Sequence, residues 1–193
     1  MGTKKIDKTR LIKIATDLFN LGGYSDTSMA DIAAKCNINK ASLYHHFASK
    51  QDLTIAVLKH WLHSFQEGFL KIAYEEGVDK KARLGQLLEK LEHFFMDSEG
   101  GCLMANLTLE IGTTIPEFTS IFKAYFESWI NAIAHLLEPF QGKVRAKQSA
   151  EEIVAEFEGM LMLTNLFQDS TLLRRQRDRL LASLTQEQEG SIA

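Results

Sequence analysis

The chain has 193 residues with 45% hydrophobic content and only two prolines, enough for one or two domains with real cores and a composition that favours helix throughout. It contains no apolar run long enough to span a membrane and no signal-peptide pattern, so it reads as a cytoplasmic protein. Its two cysteines, Cys36 and Cys102, fall in different predicted helical units and read as free thiols rather than a disulfide. The net charge of −3 conceals a division: residues 1–60 carry eight Lys and Arg10 against five Asp and no Glu, a balance of +4, which leaves −7 on the remainder. A basic head on an acidic body directs a polyanion toward one end.

In chain order, Lys4, Lys5, Lys8 and Arg10 form a basic arm, a segment that either touches phosphate or stays solvated. Leu11, Ile14, Ala15, Leu18 and Phe19 then follow helical spacing, and Gly22-Gly23 marks the end of that first helix. Thr27–Lys35 reads as a second, short helix, with Ser28 and Asp31 at capping-box spacing and Met29, Ile32 and Ala33 on the buried side. Cys36-Asn37-Ile38 is the turn, where Asn tolerates left-handed geometry. Asn39 caps a third helix in which Leu43 and Phe47, four apart, bury together. Ser42, Tyr44, His45 and His46 leave on other faces, with Lys40 in front and Lys50 behind. Helix, short turn and donor-covered helix make a helix-turn-helix, and an anionic partner such as nucleic acid suits its surface.

The stretches Phe19-Asn20-Leu21-Gly22-Gly23-Tyr24, Thr27-Ser28-Met29-Ala30-Asp31-Ile32-Ala33 and Ser42-Leu43-Tyr44-His45-His46-Phe47-Ala48-Ser49-Lys50 resemble the TetR family of bacterial transcriptional regulators. The likeness is close over roughly the first quarter of the chain and extends beyond it only in length and helical character. It implies an all-α homodimer that represses transcription from a palindromic operator until a small molecule or chemical signal releases it. Residues 1–50 would then be the DNA-binding domain and residues 51–193 the effector-binding and dimerisation domain, with about nine helices in all. Carried onto matching positions, the resemblance assigns Ser28, Ser42, Tyr44, His46 and Lys50 to phosphates and register, and Lys40 and His45 to base edges.

Ser49, paired with Asp52, opens a fourth helix whose apolar stripe of Leu53, Ala56, Val57, Trp61, Phe65, Phe69 and Ile72 runs out of the head without a flexible linker. Gly77-Val78-Asp79 interrupts the pattern. A helix of about twenty residues follows, with Leu84, Leu87, Leu88, Leu91, Phe94 and Phe95 inward, and it closes at Gly100-Gly101. A short apolar helix begins near Cys102, and Thr113–Pro116 is the next junction. An aromatic stripe from Phe118 to Leu137 ends at Pro139. Helices at about 146–169 and 171–185 complete the fold, with a frayed tail at 186–193.

The chain shows no HExxH, CxxC, P-loop or nucleophile-elbow pattern, and His45-His46 point to different faces, so no cofactor, metal or enzymatic role is expected. Cys102 falls in the first turn of its helix, where the macrodipole favours a thiolate, although a small buried apolar Cys explains it more simply. The resemblance extends to regulators that sense electrophiles or oxidants through a Gly-Cys-Leu at this place. Trp61, Phe65, Cys102, Phe122, Phe126 and Trp129 are the candidate lining for an apolar or aromatic effector. The signal would start in a cluster of the Cys102 helix, the Phe118–Leu137 helix and the inner end of the fourth helix. The last two helices are the expected homodimer contact, through Ile153, Val154, Phe157, Met160, Leu161, Thr164, Leu173, Leu180, Leu181 and Leu184. Their outer sides would carry Glu151, Glu152, Glu156, Glu158, Arg174, Arg175, Arg177 and Arg179. The competing reading is an all-helical small-molecule carrier or enzyme that kept this scaffold without binding DNA.

Overall fold

The computed structural model describes residues 7–77, 79–96 and 100–190, with side chains through 184. The expected roles of Lys4, Lys5 and Val78, and the last three residues of the tail, lie outside this description. Among the described residues there are nine α-helices, one 3-10 helix and no strand. The chain divides into two compact units: one runs to His63 and includes Leu103–Lys123, and the other comprises Ser64–Cys102 and Ala124 onward.

The first unit holds α1 (Lys8–Asp26), α2 (Met29–Lys35), α3 (Lys40–His46), the leading part of α4 (Lys50–Gly68), α6 (Leu103–Ile111) and the opening turns of α7 (Pro116–Gln141). Leu11, Ala15 and Phe19 of α1, Ile32 of α2, Leu43 of α3 and Leu53 and Val57 of α4 are all fully buried. The glycine pair does not end α1 outright. Gly23 alone leaves helical geometry, at φ 74° and ψ 175°, and a further helical turn follows it. Thr27, buried at the junction, donates to Gly23 O at 2.8 Å and so satisfies a carbonyl that the break exposes.

The second unit contains α5 (Lys80–Met96), α8 (Lys143–Phe167), α9 (Thr171–Gly190), the 3-10 helix Leu70–Tyr74 and the remainder of α4 and α7. The fourth helix stops at Gly68 rather than reaching Ile72: Phe69 turns to φ −121° and ψ −55°, and Lys90 Nζ donates to Gly68 O at 2.6 Å. Leucine periodicity cannot register such a stop, because Leu70 and Ala73 remain buried on the 3-10 turn. Pro139 sits inside the last turn of α7 and cannot donate to His135 O, which accepts from Lys80 Nζ at 2.9 Å instead, and the stop falls at Gly142. The eighth helix therefore starts three residues earlier than the apolar pattern suggests, and α9 continues into the expected tail as far as Gly190.

The faces expected to meet a second subunit are largely this unit's own core. Ile153, Val154, Phe157, Leu161, Thr164, Leu173 and Leu184 are buried within the chain, with α8 and α9 packed together and α9 also closing on α5. The charges divide likewise. Glu92 of α5, 4% exposed, takes Arg177 Nη1 at 2.6 Å and Arg174 Nε at 3.5 Å, and Arg179 pairs with Glu156. A buried carboxylate of this kind requires its partners, since its desolvation would otherwise exceed any gain. Toward its C-terminal end α8 leaves the apolar residues Met162, Leu166 and Phe167 exposed, and Val144 is exposed in its first turn.

Candidate nucleic-acid interface and effector core

Local chemistry builds the helix-turn-helix. At the start of α2, Asp31 N donates to Ser28 Oγ at 3.2 Å, while Ser28 N and Oγ donate to Asp31 Oδ2 at 2.9 and 2.6 Å. These bonds, the side-chain one first, hold the Asp31 carboxyl below its ordinary pKa. Asn37 takes φ 57°, and its neighbours Cys36 and Ile38 donate back to Ile32 O and Ala33 O, which closes the turn. Burial raises the Cys36 thiol, against a smaller opposing effect of Arg10, so it remains a packing residue. Asn39 Oδ1 then accepts from Ser42 N at 2.7 Å to cap α3.

Leu43 is fully buried and Phe47 nearly so, which leaves Lys40, Tyr44, His45 and His46 on the exposed surface and Ser42 half-buried. Lys40 Nζ lies 5.9 Å from the Tyr44 ring centre. Ser28 is exposed, but its hydroxyl proton is already given to Asp31. Lys50 is half-buried: its Nζ sits 4.2 Å from the Tyr24 ring centre and donates to Ser25 O at 3.3 Å. The basic head is thus tied at one end to the stretch beyond the Gly23 break.

That stretch has a second anchor, invisible in sequence. Glu110, near the end of α6, accepts from Tyr24 N at 2.8 Å and Ser25 N at 2.6 Å. Partial burial pushes the Glu110 carboxyl up, but the bonds from Ser25 and Tyr24 and the Lys50 charge outweigh it, and the net pKa is lowered. Tyr24 packs edge-on against Phe118 with ring centres 5.7 Å apart. A Cβ on residue 23 would lie 2.8 Å from Glu110 Oε2, so the glycine is needed for the approach as well as for its positive φ. A pairing across 86 positions leaves no periodic trace along the chain.

The six effector candidates are divided between the two units. Trp61 and Phe122 belong to the first unit, while Phe65, Cys102, Phe126 and Trp129 belong to the second. Within the second unit the Phe65 ring centre lies 5.5 Å from that of Trp129 and 4.6 Å from that of Tyr125, and Phe95 and Phe157 close the group around Trp129. Phe126 is half-buried beside Tyr125. Cys102 immediately precedes α6 rather than occupying its first turn. It is 2% exposed, its Sγ is 3.8 Å from Tyr125 Oη, and it hydrogen-bonds the Glu158 side chain. Burial drives the Glu158 carboxyl up to about 7, against the opposing effect of the Cys102 bond. Sequence reading placed Glu158 on an outer, solvated face. Among the described residues no group of three or more His, Cys, Asp or Glu could hold a metal ion, and no helix is long and apolar enough to cross a membrane.

An all-α chain with this capped helix pair is a helix-turn-helix DNA-binding transcriptional regulator. Residues 11–57 match the model for bacterial regulatory proteins of the tetR family, and residues 81–179 match that for the C-terminal domain of LmrA/YxaF-like transcriptional regulators. The chain belongs to the TetR family. An uncharacterised HTH-type regulator from the lacX 3′ region of Lactococcus lactis subsp. lactis is 25% identical over 181 residues, covering 91% of this chain and 92% of its own. Staphylococcus aureus IcaR, negative transcriptional regulator of the biofilm operon icaADBC, is 48% identical over 46 residues, 24% of this chain and 25% of its own. The crystal structure of a TetR regulator from Legionella pneumophila has a TM-score of 0.82 at 25% identity, covering 94% of this chain and 98% of that one. The family and these relatives are transcriptional regulators, not enzymes.

Proposed function

We propose that this protein is a cytoplasmic, ligand-responsive repressor that binds a palindromic operator as a homodimer and leaves it on a small-molecule or thiol-reactive signal. The observation that carries the reading is α3: Leu43 and Phe47 hold it from within, while Lys40, Tyr44, His45 and His46 stand exposed. Lys40 and His45 meet base edges, and Ser28, Ser42, Tyr44, His46 and Lys50 set register on phosphates. Residues 1–50 serve as the DNA-binding domain and residues 51–193 as the effector-binding and dimerisation domain. Dimerisation uses the last two helices, with Met162, Leu166 and Phe167 as the apolar contact, because the opposite face of α8 is occupied by the subunit's own core.

For the signal, two features support a route through α6. Its first residue directly follows Cys102, and its far end carries Glu110, which grips the backbone beyond the α1 break. A movement at the Cys102 end that displaces Glu110 alters how the head is held. The fourth helix, which runs from Lys50 to Gly68, offers a parallel route. The effector need only favour the displaced state; a tenfold preference corresponds to about 1.4 kcal/mol.

A gel-shift with DNA flanking the protein's own gene tests the reading. Specific binding that weakens steeply with salt, with a two-fold symmetric footprint, is the expected result. Affinity no greater than for random DNA of equal length would overturn it in favour of a carrier that retains only the scaffold.

A further inference from the structure

Three polar atoms in the core of the second unit are shielded from solvent and have no hydrogen-bond partner among the described residues: Glu158 Oε1, Trp129 Nε1 and Thr164 Oγ1. They come from two helices that touch, since the Trp129 and Phe157 rings lie 5.2 Å apart on α7 and α8. Thr164 follows Phe157 by seven residues and therefore shares its inward face. Glu158 is partly exposed as a residue, yet its Oε1 is sealed, and its carboxyl hydrogen-bonds Cys102. Folded cores contain few such atoms, because each forfeits its solvation, and their presence points to something that completes them.

Their chemistry is complementary in a specific way. An indole N–H can only donate, the Glu158 carboxyl accepts and, in the neutral form that burial favours, also donates, and a threonine hydroxyl does either. The rings of Phe65, Phe95, Tyr125 and Phe157 pack around the Trp129 ring. We infer that this core is the effector site and that it takes an uncharged, aromatic-sized molecule bearing a hydroxyl, which donates to Glu158 Oε1 and accepts from Trp129 Nε1. A lipophilic cation would satisfy the carboxylate but leave the indole N–H without an acceptor. The inference rests on the ligand-responsive reading above and adds the chemical class and its anchors. It also ties the ligand to α6, since the carboxyl that would bind it is bonded to the residue just before that helix.

Equilibrium dialysis of the full-length protein against naphthalene, naphthol and a naphthyltrimethylammonium salt tests it, with operator binding of the unliganded protein measured alongside. Wild type should bind naphthol about tenfold more tightly than naphthalene, a difference of about 1.4 kcal/mol, and the cation no better than naphthalene. Glu158→Leu and Trp129→Phe should each erase the hydroxyl preference, so that naphthol binds no more tightly than naphthalene. The isosteric variant Glu158→Gln, which retains an acceptor, should keep part of the preference should the bulkier changes impair folding. A hydroxyl preference that survives in all three variants, or a preference for the cation, overturns the inference. Failure of wild type to bind any probe also overturns it, whereas loss of operator binding instead counts against the regulator reading.

Discussion

Replacing Glu110 with alanine deletes the one carboxylate that accepts both the Tyr24 and Ser25 amides. Hydrogen bonds to a charged acceptor contribute about 1.5–3 kcal/mol each when shielded. Glu110 is exposed, however, and water takes over part of the lost bonding, so the pair together should contribute about 1–2 kcal/mol. For a chain of this size that lowers the melting midpoint by about 2–8 °C. The same loss should accelerate hydrogen exchange at the Tyr24 and Ser25 amides about 5–30-fold, with little change on α8. Glu110→Gln, which keeps a neutral acceptor, should lose about half as much. The pH dependence has a definite sign. The folded-state pKa of Glu110 is lowered, so its contribution is present above the ordinary carboxylate pKa and is lost as pH falls through the lowered value. The gap between wild type and Glu110→Ala should therefore narrow as pH falls below the ordinary carboxylate range. If the variant melts with wild type at neutral pH and the two amides exchange at unchanged rates, Glu110 does not hold the head, and the α6 route fails with it.

Lys50→Ala should reduce the slope of log affinity against log salt by about 0.9, the value of one phosphate contact. An unchanged slope would mean that Lys50 serves only Tyr24 and Ser25. Lys40→Ala should change which operator variants bind best, and a uniform loss across sequences would demote it to a phosphate contact. Charges at Leu166 and Phe167 should yield folded monomers with weak operator binding, and intact dimers in sedimentation would move the interface elsewhere. Leu161→Ala, by contrast, should cost about 2–5 kcal/mol within the subunit, measured by denaturant unfolding. Gly101→Ala should destabilise by about 1–3 kcal/mol, because φ is 77° and a Cβ would lie 2.8 Å from Asn165 Nδ2; adding Asn165→Ala should recover only the steric part.

The DNA-reading head was legible in the sequence because its determinants are local. The capping-box partners are three residues apart, the Asn-centred turn is three residues long, and Leu43 and Phe47 are four apart, so each signal lies within about one helical turn of its cause. The all-α class and most helix positions followed for the same reason, and the errors at Gly68 and Pro139 arose where a distant side chain or a neighbouring glycine set the end. Only the tertiary structure could decide which face of an amphipathic helix meets its own chain. Periodicity identifies an apolar stripe on α8, but it does not distinguish packing within the subunit from packing on a second copy, and Phe157 and Leu161 proved to be the former. The carboxylates show the same limit. Glu92, Glu110 and Glu158 are alike in sequence, yet one is sealed by arginines of α9, one grips the amides of Tyr24 and Ser25, and one is driven by burial toward neutrality beside Cys102. Solvation and partners set the role of a charge, and both are properties of residues far apart in the chain that folding brings together.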